Sequence, residues 1–227
     1  MEEKSVSRLG GVCSIIVGIL YILIGLTFLL VPADQQGGTA MEDLVKFLPS
    51  FHKNPTAMTL LYWEFALGAI VAIAAVPAIS GLVRSVNEGW TRWASNLAFF
   101  GFAVVAIYYF QMLAIAPSRA AAFVAGDAST RAALAVPMGV DPQFVLRYGV
   151  VGFWMFVVNI LALKGGKLPK ILGVVGIIAA ILYWLLGFSD LLGVASTLRQ
   201  IVAVAGGMIA GPVWYIWVGV RLQRTST

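Results

Sequence analysis

Residues 9–31 read LGGVCSIIVGILYILIGLTFLLV and contain no Asp, Glu, Lys or Arg. A helix rises about 1.5 Å per residue, so about 20 such residues span the roughly 30 Å hydrocarbon core of a bilayer. The rest of the chain agrees with that reading. Of its 227 residues 60% are hydrophobic and 11% charged, with a mean hydropathy of +0.93. Soluble domains are about 45–50% apolar and about 25% charged. A chain this short has too large a surface fraction to hide so much apolar area from water. Its solvent is lipid.

Five further apolar runs follow, at 57–83, 93–115, 143–163, 171–191 and 200–220. The expected fold is all-α: one transmembrane domain over residues 1–227, a polytopic bundle of six transmembrane helices. The first run exceeds a signal-peptide core and no small-x-small cleavage site follows it in LLVPADQQGG, so it reads as a retained helix. Lys4, Arg8, Arg84, Arg92, Lys164, Lys167, Lys170, Arg221 and Arg224 fall on one side of the layout with the acids Glu2, Glu3 and Glu88. The other side carries Lys46, Lys53, Arg119, Arg131, Arg147 and Arg199 against Asp34, Glu42, Asp43, Glu64, Asp127, Asp141 and Asp190. The positive-inside rule makes the first side cytoplasmic and both termini with it. The net charge of +5 thus reads as membrane topology and not as nucleic-acid binding. Tyr62, Trp63, Trp90, Trp93, Tyr108, Tyr109, Trp214, Tyr215 and Trp217 lie near run ends, where rings anchor at headgroup level.

The inner loops are short, whereas residues 32–56 and 116–142 form long outer segments. In the first, MEDLVKFLPSF (41–51) suits a short helix lying on the membrane surface. In the second, an Ala-rich stretch between Pro117 and Pro137 suits one or two short helical turns. Long structured loops favour functional faces, which directs attention to the outer side.

A repeat links the first and fifth runs at an offset of 162 (173 − 11). Gly11/Gly173, Val12/Val174, Ile15/Ile177, Ile16/Ile178, Ile19/Ile181, Leu20/Leu182, Tyr21/Tyr183, Leu23/Leu185 and Gly25/Gly187 are identical. Both copies run the same way through the membrane, a parallel relation unlike the inverted repeats of many transporters. Small residues let membrane helices approach closely. The repeat glycines, the second run's Gly68, Ala69, Ala72 and Ala75, and the last run's Ala203, Gly207 and Gly211 read as packing faces. Asn96 and Asn159 read as interhelical hydrogen-bond partners.

Charges within the hydrocarbon cost a few kcal/mol and mark candidate sites. Glu64 lies in LLYWEFALGAI, Arg147 in FVLRYGVVGF and Gln111 after Tyr108 and Tyr109; Asp190 closes the fifth run and Arg199 opens the sixth. All belong to the outer half. The layout predicts a polar pocket open to the outside, with Glu64 facing Arg147 and Asp190 pairing with Arg199. The alternative is two ion pairs that fasten helices and snorkel to the headgroups.

Enzyme templates find little purchase. His52, before the second run, is the one histidine, and Cys13, inside the first, the one cysteine, so neither an imidazole metal set nor an internal disulfide can form. No GxSxG, P-loop, HExxH or GxGxxG is present. No catalytic residue, metal or cofactor is expected.

The chain resembles a family of bacterial six-helix inner-membrane proteins of unknown function. The resemblance rests on SRLGGVCSIIVGILYILIGL (7–26), LKGGKLPKILGVVGIIAAILYWLLG (163–187) and GPVWYIWVGVRL (211–222). It implies six spans in a bacterial cytoplasmic membrane and assigns no activity and no site residues. The functional expectation is a non-enzymatic, membrane-embedded binding or accessory module, whose partners are the bilayer and either other membrane subunits or a small or lipid-like ligand. A small permease is the alternative, and an intramembrane enzyme using Glu64 or His52 a third reading.

Overall fold

A computed structural model describes residues 2–36, 41–137, 141, 144–189, 191–193 and 196–226, and side chains at all of these except 2–3, 41–42, 196–197, 199–200 and 225–226. Every regular element among them is helical. Six helical stretches are long and apolar enough to cross a membrane: Lys4–Phe28, Thr56–Gly81, Glu88–Ala125, Val145–Lys164, Lys170–Phe188 and Ile201–Arg224. They belong to α1 (Glu2–Phe28), α3 (Thr56–Gly81), α4 (Glu88–Ala125), α6 (Val150–Lys164, entered through a π turn at Val145–Gly149), α7 (Lys170–Phe188), and α8 (Ser196–Ala203) joined by a π turn at Val204–Ala210 to α9 (Gly211–Ser226). Two shorter helices, α2 (Met41–Lys53) and α5 (Ala128–Leu134), cap one end.

The long helices form a closed ring. Chain neighbours pack in order, α1 on α3, α3 on α4, α4 on α6, α6 on α7 and α7 on α9, and α9 then returns to α1. The returning helix is antiparallel to the first: Gln223 Nε2 donates to Arg8 O at 2.5 Å, so both termini share one end, and α2 and α5 lie at the other, the cap end. Glycines every seventh residue make this seam. A Cβ on Gly11 would lie 3.0 Å from Gly219 O, one on Gly18 would lie 3.0 Å from Pro212 O, and one on Gly25 would meet Met208. In α7, Gly187 plays the matching part against α6, where a Cβ would lie 2.8 Å from Gly149 N.

Four expectations need correction. Pro117 does not separate α4 from a loop: the helix runs through it to Ala125, ten residues past 115 (125 − 115). Alanine-rich sequence is strongly helical, and Arg131 then caps the extended end by donating to the Phe123 and Val124 carbonyls. Gly207 meets nothing within 4 Å, because the π turn shifts the register and presents Gly206 to Leu182 instead. Asn96 is exposed, whereas Asn159 is fully buried and accepts from Trp214 Nε1 at 3.0 Å.

That bond belongs to an indole-centred core toward the end bearing the termini. Trp154 Nε1 donates to Ser80 Oγ at 3.0 Å, and the Trp154 and Trp214 rings meet edge to face. Both indoles are fully buried, so each ring contributes its large area while its N–H finds a partner. Trp214, Tyr215, Tyr62 and Tyr109 are therefore interior residues and not the headgroup anchors suggested by their place in the runs. Trp63, Trp90 and Trp93 do stay exposed.

Candidate functional site

Glu64 and Arg147 do not face each other. Thr27 Oγ1 of α1 donates to Glu64 Oε1 at 2.8 Å, leaving Oε2 buried without a partner. This half-buried carboxyl joins α1 to α3. Asp190 and the Arg199 side chain lie outside the described residues. His52 sits exposed at the end of α2.

Arg147 has a different partner. It lies in the π turn at the head of α6 and is 1% exposed. Its backbone N–H donates to Asp141 Oδ2 at 2.8 Å, its Nη2 donates to Asp141 O at 2.7 Å, and its Nε stands 3.4 Å from the same carboxylate oxygen. The guanidinium carbon lies 3.6 Å from the Tyr108 ring centroid and 4.4 Å from that of Phe144. Phe144 reaches this place from the left-handed region, at φ 63°, which is unusual for a bulky residue. Strained backbone and π turns are both over-represented where side chains are held for a task. Arg147 Nε and Nη1 make no hydrogen bond. Orphaned charged donors in an apolar interior are costly.

All seven tyrosines of the chain join one run of contacts that passes this group. Tyr108 and Tyr109 adjoin edge to face, Tyr109 contacts Tyr62, and the hydroxyls of Tyr109 and Tyr148 are neighbours. Tyr148 stacks on Tyr183 at 5.9 Å, the Tyr183 and Tyr21 hydroxyls meet, and Tyr21 packs on Tyr215, again at 5.9 Å. Each of the six long segments thus sends at least one tyrosine into a single chain of contacts. The repeat takes part: Tyr21 and Tyr183, equivalent in the two copies, touch across the ring. Tyr215 ends the chain with a buried, unpartnered hydroxyl.

Gln111 lies one turn above Tyr108 on the same stripe of α4. It lines a small cavity between α2 and α4 with Leu44, Phe47, Leu48, Met112 and Arg119. The cavity measures about 20 Å³, room for one water molecule. Gln111 Oε1 is buried without a protein partner, the situation a single water relieves. The open polar pocket expected here is thus a water-sized space with an almost wholly apolar lining. Arg119, also buried, donates from Nε and Nη2 to Leu134 O and from Nη2 to Val136 O, fastening the stretch after α5 to α4.

Two kinds of residue escaped the sequence reading. Asp141 lies outside any apolar run, and only the π turn folds its carboxylate back onto the Arg147 amide. Tyr62, Tyr108, Tyr109 and Tyr215 read singly as membrane anchors; the one signal of a wider convergence is the Tyr21/Tyr183 match. Among the described residues, no group of three or more His, Cys, Asp or Glu side chains is placed to hold a metal ion. Comparison with curated proteins and with solved structures gives no match. The family described as Domain of unknown function (DUF4386) matches residues 16–222, most of the chain, and the protein belongs to that family.

Proposed function

We propose that the protein spans a bacterial cytoplasmic membrane, termini in the cytoplasm, and serves there as a non-enzymatic binding module whose ligand, small or lipid-like, is received at Arg147. The nine Lys and Arg residues at the termini end support the orientation. One observation carries the binding reading: Arg147 is wholly buried, yet Nε and Nη1 make no hydrogen bond, and Nη1, unlike Nε beside Asp141, has no ion-pair partner either. A residue serving only to tie helices would have its donors satisfied, since an unsatisfied buried charge weakens the bundle it is meant to hold. Ionisable residues inside spans commonly mark ligand or ion sites. A permease would need a passage near mid-membrane. Trp154, Met155, Trp214 and Tyr215 are all fully buried in the bundle interior, which favours the binding reading over a passage.

Native mass spectrometry of the protein released from its own membrane tests the reading. The native chain carries a bound small molecule, and Arg147→Met, still folded, releases it. A native chain with nothing bound, or a molecule retained equally by the variant, refutes it. Reporter fusions at Lys167 and Asp127 should report cytoplasm and exterior respectively; the reverse result overturns the orientation.

A further inference from the structure

We infer that the group received at Arg147 is an uncharged carbonyl, that of a lipid ester or of a flat ring ketone, and not an ionised carboxylate or phosphate. The inference rests on the binding reading above and specifies its chemistry.

Two features of the centre select the class. The Arg147 nitrogens that make no hydrogen bond, Nε and Nη1, are donors, and Nη1 has no ion-pair partner either. Guanidinium nitrogens cannot accept, so what is missing is an acceptor. The charge is already balanced: Asp141, 5% exposed, holds its carboxylate 3.4 Å from Nε. A second anion would gain attraction from Arg147 and lose it to repulsion from Asp141, leaving its own desolvation uncompensated. A carbonyl oxygen accepts the same N–H groups at a far smaller desolvation cost. The surroundings agree, since the rings of Tyr108 and Phe144 packed on the guanidinium make the centre apolar, which favours an uncharged group over an ionised one. The stripe Tyr108, Gln111, Met112 on α4 joins this centre to the water-sized cavity, and Met112 is a side chain that repacks readily.

Matched probes decide it, with protein in a carbonyl-free sugar detergent at pH 9 and thermal stability as the readout. Methyl laurate, laurate and dodecane share one chain and differ in the head; 2-acetonaphthone and naphthalene do the same for a ring. At saturation, methyl laurate, 2-acetonaphthone or both should raise the melting temperature by about 5 °C. The first points to a lipid ester and the second to a ring ketone. Laurate, dodecane and naphthalene should leave it unchanged, and Arg147→Met should abolish the shift. Asp141→Asn removes the balancing charge while keeping an oxygen for the Arg147 amide. Laurate should bind it at least tenfold more tightly than it binds the native chain. Laurate stabilising the native protein as well as methyl laurate does would overturn the carbonyl assignment and leave the binding reading standing. So would an unchanged preference in a folded Asp141→Asn. Should no probe stabilise the native chain, the binding reading itself falls. If Asp141→Asn does not fold, the native comparison of methyl laurate with laurate decides alone.

Discussion

Replacing Asn159 by leucine tests how the core toward the termini is held. Asn159 is fully buried on α6, its Oδ1 accepts from Trp214 Nε1 of α9 at 3.0 Å, and its Nδ2 donates to Met155 O at 2.7 Å. Leucine of similar size removes the acceptor and strands the indole N–H in a dry interior, a loss of about 1–3 kcal/mol. The substituted side chain must also fit against Gly176, whose added Cβ would lie 2.3 Å from Asn159 Cγ, so there is no slack for a differently branched group. The combined cost should be about 2 kcal/mol. Trp214→Phe removes the donor, so the double variant no longer strands it. The coupling between the two sites should fall near 1 kcal/mol, within the range of roughly 0.6 on average to 1.7 at most for hydrogen bonds in membrane bundles. Unfolding in mixed micelles by graded sodium dodecyl sulfate measures all four corners of the cycle. Asn96→Leu, exposed on α4, serves as the control and should stay within about 0.5 kcal/mol. A coupling indistinguishable from zero, or a control as damaging as Asn159→Leu, would refute this account of the core.

Glu64→Gln keeps an oxygen for Thr27 and should change stability by less than about 1 kcal/mol, measured in the same titration; a larger loss would show the charge itself to be structural. Gly187→Ala places a methyl 2.8 Å from the Gly149 backbone, which cannot turn aside as a side chain would, and should cost about 1–3 kcal/mol. At the cap, Asp127 accepts from the Thr130 amide at 2.8 Å at the head of α5, and these hydrogen bonds hold its carboxyl below the usual value of 3.8. A carboxyl depressed on folding stabilises above its unfolded value and loses that contribution as pH falls through its lower folded value. Thr130 amide exchange should therefore be faster in Asp127→Ala than in the native chain at neutral pH, and the two should converge once pH falls well below 3.8. Equal exchange at neutral pH would remove the cap.

The architecture was readable because helices long and apolar enough to cross a membrane leave a coarse mark on the sequence. Six predominantly apolar runs of that length are hard to account for otherwise, and the small-residue faces of α1 and α7 follow from the need for close backbone contact. Helix ends were less legible. Beyond residue 115 the polarity rises, which marks the limit of an apolar run, but the alanines past Pro117 continue a helix regardless of what solvates them. The Arg147 centre was half legible. The residue type and depth identified the arginine, while its partner depended on a π turn and a left-handed Phe144, which hydropathy does not record. Glu64 was paired by charge with the wrong group, because opposite charges at similar depth can lie on non-adjacent helices; in the ring, Glu64 on α3 turns to α1 and Arg147 lies across α4.

The closed ring also constrains how the molecule is made. Its seam joins the first helix to the last, and Tyr21 meets Tyr215, a residue 194 positions later (215 − 21). At about 5–20 residues added per second, roughly 10–40 s separate the synthesis of the two. Through that interval α1 stands without the neighbour that covers Gly11, Gly18 and Gly25, and its buried hydroxyls lack the interior they will join. The nascent first helix is thus an open half-joint, and anything that stalls translation before α9 leaves that glycine face free to seize another chain.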